Sequence, residues 1–189
     1  MQFIKTRKVK DPVRDPNENA GIDFYIPENT VDFMVAFKDK NADSVVGNKS
    51  DLEDFRNETG RILPDVFYDT ATGVITIAPH CEVIIPTGIK SKFGPELALI
   101  ANNKSGIATK KQLIFGASVI DCSYQGEWHI NLINTSNKYQ TLECGQKAVQ
   151  FIPHLISTEP VEIVNKTPEE FYTEKTSRGE GWQGSTGTK

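Results

Sequence analysis

Short runs of β-branched and aromatic residues, separated by Pro, Gly and Asn, recur along most of this 189-residue chain. Such runs predict β-strands, and their close spacing leaves little room for long helices. The strands predicted in this way cover residues 22–26, 31–37, 74–78, 82–85, 96–101, 128–133, 148–156 and, in one further short run, 161–164. Helix signals are confined to 51–57 and 104–111, where Ser105 is the predicted N-cap. The pattern therefore predicts an all-β sandwich, barrel or jelly roll.

Charge and cysteine content narrow the class of protein. The formal net charge of −4 argues against a surface that holds a nucleic-acid backbone along its length. The three cysteines stand at no metal-like spacing and the three histidines are scattered, which argues against a disulfide framework and a zinc site built by the protein. No apolar stretch is long enough to cross a bilayer. We expect a soluble, cytoplasmic protein with no membrane partner and no direct nucleic-acid partner.

The composition changes at two places along the chain. Residues 28–73 are acidic and rich in turn formers, which suggests an insertion in a compact core over residues 1–156. Residues 157–189 have the composition of an arm, and it ends in the glycine-rich run SRGEGWQGSTGTK. Because Arg178 in this run can clamp a phosphate, the arm is either a lid that orders over a charged ligand or a disordered terminus.

Three stretches carry side chains that could bind or react, and each also has a structural explanation. Lys104, at a predicted strand-to-helix junction, could bind an anion or be a solvated lysine beside a helix cap. Asp121 could be a base or a turn cap, and Tyr124 a ligand contact or a core ring. The small residues at 116–118 could approach a flat ligand closely. Gln150 lies among apolar neighbours, so its amide needs a partner from a ligand or the backbone.

Taken in order, these stretches resemble the five motifs of the trimeric dUTP pyrophosphatase (dUTPase) family. The matching segments are AGIDFY (20–25), KSGIA (104–108), GASVIDCSYQGE (116–127), GQKAVQFI (145–152) and RGEGWQGSTG (178–187). The resemblance implies an all-β, jelly-roll-like β-barrel of the trimeric dUTPase type with few short helices. It also implies a homotrimer with an active site at each subunit interface and a C-terminal lid.

The resemblance further implies hydrolysis of dUTP to dUMP and pyrophosphate. Asp121 would activate a water for in-line attack on the α-phosphorus, since an aspartate carboxylate is ionised at neutral pH and can accept a proton. Mg²⁺ would bind the three phosphates with no direct protein ligand, and Asp23 would reach its waters. The implied substrate-binding residues are Lys104, Ser105, Gly106, Gly116, Ala117, Ser118, Val119, Ile120, Tyr124, Gln150, Arg178, Trp182, Gln183, Gly184 and Ser185.

The sequence departs from the family pattern at four places. Lys104 replaces an arginine, so a point charge stands where a planar fork is usual. Ser118 replaces a glycine, and the backbone there must tolerate a Cβ. Ser123 stands where a second aspartate is frequent. Trp182 and Gln183 replace a Gly-Phe pair, so either the Trp182 ring or the Gln183 side chain would cover the base, and we favour Trp182 because its ring has the larger face.

Two alternative functions follow from the same residues. A relaxed dUTP/dCTP pyrophosphatase is compatible with Ser118 and the altered arm. The related dCTP deaminases use a glutamate at a position that corresponds to Asn131 here, and an asparagine cannot act as that base. A regulatory protein that binds a partner through the 28–73 insertion is the non-enzymatic alternative, with 31–37 and 61–69 as a possible strand pair within it.

Overall fold

The computed structural model describes residues 1–15, 17–28, 43–177 and 179–181. The chain divides into two compact units, Met1–Ser157 and Thr158–Lys189. The predicted strand at 31–37, and hence its pairing with 61–69, lies outside the described residues. The barrel belongs to the first unit.

The described residues form thirteen β-strands and three helices. The strands are β1 (Gln2–Lys5), β2 (Ile22–Tyr25), β3 (Ser44–Gly47), β4 (Val66–Asp69), β5 (Val74–Ile77), β6 (Glu82–Pro86), β7 (Ile89–Lys92), β8 (Leu97–Asn103), β9 (Leu113–Phe115), β10 (Val119–Ile120), β11 (His129–Asn134), β12 (Gln140–Glu143) and β13 (Lys147–Leu155). The helices are α1 (Lys49–Thr59), α2 (Ser105–Lys111) and α3 (Pro168–Phe171). None of these helices has both the length and the apolar character that a bilayer span requires. The dominance of strands confirms the predicted all-β class.

The strands form four small sheets. Their orders are β10-β8-β13-β2, β6-β11-β9, β12-β5-β4-β3 and β1-β7. All strand pairs are antiparallel except β3 with β4. In the first sheet β13 is a central strand, paired with β8 from Val149 to Leu155 on one edge and with β2 on the other. This sheet carries the predicted site residues Asp23, Val119, Ile120 and Gln150, and Lys104 and Asp121 directly follow two of its strands.

Alternation along the strands produces the hydrophobic core. Successive side chains of a strand point to opposite faces, so β11 buries every second residue, including Ile130 and Leu132. Phe24, Trp128 and Phe151 meet at the centre of the core with ring centroids 5.0 to 5.2 Å apart. Each of these three side chains is almost fully buried. Burial of a large apolar side chain contributes about 2–3 kcal/mol, so these rings hold β2 and β13 to the residue that directly precedes β11.

The helix at 51–57 is longer than predicted because both of its ends are capped. Asn48 and Asp51 form a capping box at the start of α1, and Gly60 ends it in the left-handed conformation with φ of 72°. In α2 the N-cap is Lys104, so the prediction of Ser105 at that position was wrong by one residue.

The predicted strand at 161–164 was wrong. The structure assigns no strand to these residues, and the side chains of Val161 and Ile163 are 94% and 95% exposed. β-branched residues favour strands only where a neighbouring strand supplies hydrogen bonds and contacts. Within the described residues no strand pairs with this segment.

The described part of the proposed insertion is folded. Leu52 and Phe55 of α1 pack with Phe67 of β4 in a small apolar cluster. β4 also pairs with β5, and its Tyr68 is fully buried in the main core. The C-terminal end of this segment is therefore continuous with the barrel.

Candidate active site

The first group of site residues lies on one face of the β2-β13-β8 sheet. Asp23 of β2, Gln150 of β13 and Asn102 of β8 are direct cross-strand partners. Directly opposed residues share a face of the sheet, so the Asp23 and Gln150 side chains point the same way. The Gln150 amide donates a hydrogen bond to the Asn103 carbonyl at 3.1 Å. This bond fixes the amide at the end of β8, next to Lys104.

Gly21 makes room for Gln150. A Cβ at position 21 would lie 2.7 Å from Gln150 Oε1 and 3.0 Å from Gln150 Cβ. Both separations are too short for ordinary contact, so any larger residue would push the Gln150 side chain away. The glycine of the AGIDFY segment is therefore explained by the close packing of β2 on β13.

Asp23 is held by two lysines. Lys104 Nζ lies 2.8 Å from Asp23 Oδ1, and Lys147 Nζ lies 2.9 Å from Asp23 Oδ2. Burial raises the pKa of the Asp23 carboxyl, but hydrogen bonds from Lys104 and Lys147 outweigh it, and the net pKa is lowered. The hydrogen bond to Asp23 also raises the pKa of Lys147. The stabilisation linked to Asp23 is present above the pKa of its unfolded state and is lost as pH falls through the lowered pKa, whereas that linked to Lys147 is lost as pH rises through its raised pKa.

The start of α2 is open to solvent. Ser105 and Gly106 are exposed, and a Cβ at Gly106 would meet no atom within 4 Å. The first N–H groups of a helix lack partners within the helix and can bind an anion. The Gln150 amide is bonded to Asn103, the last residue of β8, and the helix start follows directly. The end of β8 therefore brings together Lys104, Ser105, Gly106 and Gln150.

The second group of site residues forms a hairpin with β8. The Phe115 N–H donates to Asn103 Oδ1 at 2.8 Å, and the Ser118 carbonyl accepts from the Ala101 N–H at 2.7 Å. Between them, the backbone of Ala117 makes no hydrogen bond within the described part of the chain. Ser118 is not among the residues with positive φ, so the replacement of a glycine causes no backbone strain there.

Gly116 is packed against β11. Its N–H donates to the Asn131 carbonyl at 3.0 Å, and the Asn131 side-chain amide fills the space that a Cβ would need. Asn131 Nδ2 in turn donates to Glu82 Oε2 at 3.2 Å. Asn131 thus supports the hairpin through its backbone and side-chain contacts with Gly116, a role that the sequence alone did not indicate.

Asp121 and Tyr124 form a tight turn at the end of β10. The Tyr124 N–H donates to the Asp121 carbonyl at 3.1 Å, and the Tyr124 hydroxyl donates to the Glu127 carbonyl at 3.0 Å. The Tyr124 ring lies over Gly126, where a side chain would collide with it. The Asp121 side chain is exposed, and Tyr124 is 42% exposed. Both side chains can therefore reach a ligand.

The two groups lie at opposite ends of β8. Ile120 pairs with Leu99, so Asp121 follows opposite Ala98, whereas Lys104 comes directly after β8. Positions 98 and 104 are six steps apart along the strand, and at a rise of about 3.4 Å per step the two positions are separated by about 20 Å. The structure of one chain therefore brings Lys104, Ser105, Gly106 and Gln150 together, but not with Asp121.

The remaining predicted site residues belong to the arm. Arg178, Trp182, Gln183, Gly184 and Ser185 lie outside the described residues.

A metal ion would find few protein ligands at this site. In the parts of the chain that the structure describes, no group of three or more His, Cys, Asp or Glu side chains could hold a metal ion. Both carboxylate oxygens of Asp23 are bound by lysines. A metal bound here would therefore depend on ligands that a substrate brings.

Lys147 is a neighbour of the site that sequence reasoning missed. The β2–β13 register shifts between Lys147 and Val149, so simple alternation from Gln150 does not place Lys147 on the same face. The only available signal was a lysine within the GQKAVQFI segment.

The family model that matches this chain and two of its sequence relatives belong to the dUTPase family. The dUTPase family model matches residues 68–187. Deoxyuridine 5'-triphosphate nucleotidohydrolase from Actinobacillus pleuropneumoniae serotype 3 is 30% identical over 151 residues, which cover 78% of this chain and 95% of that protein. The protein of the same name from Shewanella amazonensis is 35% identical over 118 residues, 61% of this chain and 74% of that protein.

The fold comparison agrees. The solved structure of Staphylococcus bacteriophage 80alpha dUTPase with dUpNHpp matches with a TM-score of 0.65 at 16% identity, over 98% of this chain and 97% of that chain. This likeness confirms the jelly-roll-like β fold. The family match and the sequence relatives show that the chain is a member of the dUTPase family.

Proposed function

We propose that this chain hydrolyses dUTP to dUMP and pyrophosphate with Asp121 as the general base. Membership of the family makes the chain an enzyme of the dUTP diphosphatase class. The observation that carries the mechanism is the exposed Asp121 carboxylate beside Tyr124, directly after a hairpin with free backbone groups. The water oxygen attacks the α-phosphorus, and its proton passes to Asp121. The bond from the α-phosphorus to the bridging oxygen breaks, and pyrophosphate leaves with the electron pair.

The hairpin is the proposed reader of uracil and deoxyribose. The backbone of residues 116–120 offers donors and acceptors at a fixed spacing, and Ala117 supports this role because its backbone groups are unused within the described residues. Cytosine exchanges a donor and an acceptor at one edge and would leave groups buried without partners. The Tyr124 ring, fixed over Gly126, would pack on the deoxyribose and exclude a 2′-hydroxyl.

The residues at the end of β8 are the proposed phosphate site. Lys104 supplies charge, while Ser105, the Gly106 backbone and the Gln150 amide position phosphate oxygens. Bound Mg²⁺ would neutralise charge on the three phosphates. Arg178 of the arm would add a bidentate contact to the same phosphates.

The distance along β8 supports a composite site. The triphosphate chain of one nucleotide is too short to reach from Asp121 to Lys104 of the same subunit, which are about 20 Å apart along β8. One nucleotide can meet both groups only if they come from different chains. We therefore propose a homotrimer with active sites at the subunit interfaces, in which the arm of one chain closes over a site with Trp182 as the cover of the base.

An assay with two nucleotides tests this function. We expect purified protein with Mg²⁺ to release pyrophosphate from dUTP and no ammonium, and chelation of the metal to lower the rate at least about tenfold. Pyrophosphate from dCTP at a comparable kcat/KM would indicate the relaxed enzyme, and ammonium release would indicate a deaminase. Absence of any product from dUTP would contradict the proposal.

The fit of Gly21 against Gln150 gives a second prediction. We expect Gly21→Ala to lower kcat/KM for dUTP about tenfold, because the new methyl group displaces the Gln150 amide from the phosphate site. The effect should be non-additive: adding Gly21→Ala to Gln150→Ala should change kcat/KM by less than about twofold. Steady-state kinetics of the two single variants and the double variant provide the comparison. Independent losses that multiply in the double variant would show that Gly21 acts on something other than Gln150.

A further inference from the structure

Within the described residues, Lys147 contacts the site through Asp23. Its ammonium bonds Oδ2 of Asp23, while Lys104 bonds Oδ1 of the same carboxylate. The Lys147 side chain is 43% exposed and that of Asp23 is 17% exposed, so the pair stands at the edge of the site.

The charges of the three residues explain why two lysines are needed. Two ammonium groups and one carboxylate leave one net positive charge beside the phosphate site. If Lys147 were absent, the charges of Asp23 and Lys104 would cancel. Both carboxylate oxygens of Asp23 could then hold the Lys104 ammonium. A triphosphate would then compete with Asp23 for Lys104.

The side chain of Lys104 depends on Asp23 for its position. Lys104 is the N-cap of α2 but makes no capping bond through its side chain. Within the described residues, Asp23 is the polar partner of its ammonium. A lysine is a point charge on a flexible stem, so its neighbours decide where the charge stands.

We propose that Lys147 is a positioning residue for phosphate binding: it occupies one oxygen of Asp23 and so leaves the Lys104 ammonium available to the triphosphate. This inference rests on the proposed function. Lys147 is itself well placed for the task, because it begins β13 opposite Tyr25 and its ammonium lies 5.8 Å from the centre of the Tyr25 ring. The strand and the ring hold the lysine at Asp23 whether or not a nucleotide is bound.

Lys147→Met is the direct test. The substitution removes the charge and keeps most of the stem, and we expect the KM for dUTP and the Kd for dUpNHpp to rise about fivefold with kcat unchanged. Lys10→Met is the matched control, because the Lys10 ammonium lies 5.4 Å from the centre of the same ring but bonds the Gly145 carbonyl instead of Asp23. It removes the same charge nearby and should change both constants less than about twofold. Equal effects of the two variants, or none from Lys147→Met, would overturn the inference.

A second comparison separates positioning from direct contact with phosphate. In an Asp23→Asn background there is no carboxylate to hold Lys104, so Lys147→Met should no longer change the Kd for dUpNHpp. An undiminished fivefold loss in this background would mean that Lys147 touches the nucleotide, and the inference would be wrong. Thermal unfolding of each variant checks that it is folded. Wild-type protein that binds dUpNHpp but releases no pyrophosphate would contradict the proposed function alone, and the Kd comparison would still decide the role of Lys147; wild-type protein that does not bind dUpNHpp would contradict both.

Discussion

Asp121→Asn is expected to lower kcat for dUTP hydrolysis about a thousandfold, the scale of losing a general base. The asparagine amide has nearly the same shape but cannot take the proton of the attacking water. Since the hairpin and Tyr124 are unchanged, the Kd for dUpNHpp should stay within about fivefold of wild type. Rapid-quench or steady-state pyrophosphate release, together with calorimetric binding of dUpNHpp, measures the two quantities.

Asp54→Asn is the control for this variant. Asp54 is an exposed residue of α1 and lies outside the proposed site, so the same chemical change there should leave kcat unaltered. Retention of more than about a tenth of the wild-type kcat by Asp121→Asn would show that another group accepts the proton.

Two inactive variants are expected to restore activity when they assemble together. Asp121→Asn lacks the base, and Lys104→Met lacks the phosphate charge, so each pure protein should be strongly impaired. When the two chains are coexpressed with different tags and trimers that carry both tags are purified, about a third of the sites should combine an intact Asp121 with an intact Lys104 from another chain. Pyrophosphate release by the mixed oligomers, compared with each pure variant, measures this recovery.

The same experiment has a clear negative outcome. If one chain supplied both groups to a site, mixing the variants would repair no site, and the rate would equal the average of the two pure proteins. Two preparations of Asp121→Asn with the two tags form the control, because no arrangement of those chains contains the base. Recovery in the mixture alone would support the composite site inferred from the length of β8.

The sequence predicted the strands with strong alternation and missed those without it. The run that became β11 has buried residues at every second position, and the run that became β13 buries Ala148, Val149 and Phe151; the type and approximate bounds of both were predicted correctly. β1 and β7 are only four residues long, contain lysines, and pair with each other across most of the barrel sequence. A pairing of that kind depends on tertiary contacts that a local pattern does not contain. The exposed segment at 161–164 shows the reverse error: its residues have high β-propensity, but within the described residues no strand pairs with it.

The site shows the same division between local and long-range information. The family motifs predicted Lys104, Asp121 and Gln150 as site residues, and the register places Gln150 beside the end of β8, which Lys104 directly follows. The role of Asn131 beneath Gly116 comes from the packing of β11 against the hairpin, which no spacing in the sequence reveals. The contact of Lys147 with Asp23 depends on an irregularity in β13 that shifts the strand by one position.

The central place of β13 constrains how this protein can diverge. Gln150, which we propose to hold phosphate, alternates on this strand with Val149 and Phe151, which fill the core, so a mutation there risks both stability and substrate binding. Ala117 and Val119 of the hairpin are exposed and carry little packing. We therefore expect natural variation to accumulate in the hairpin around Ala117 and Val119, while purifying selection preserves the sequence of β13 around Gln150.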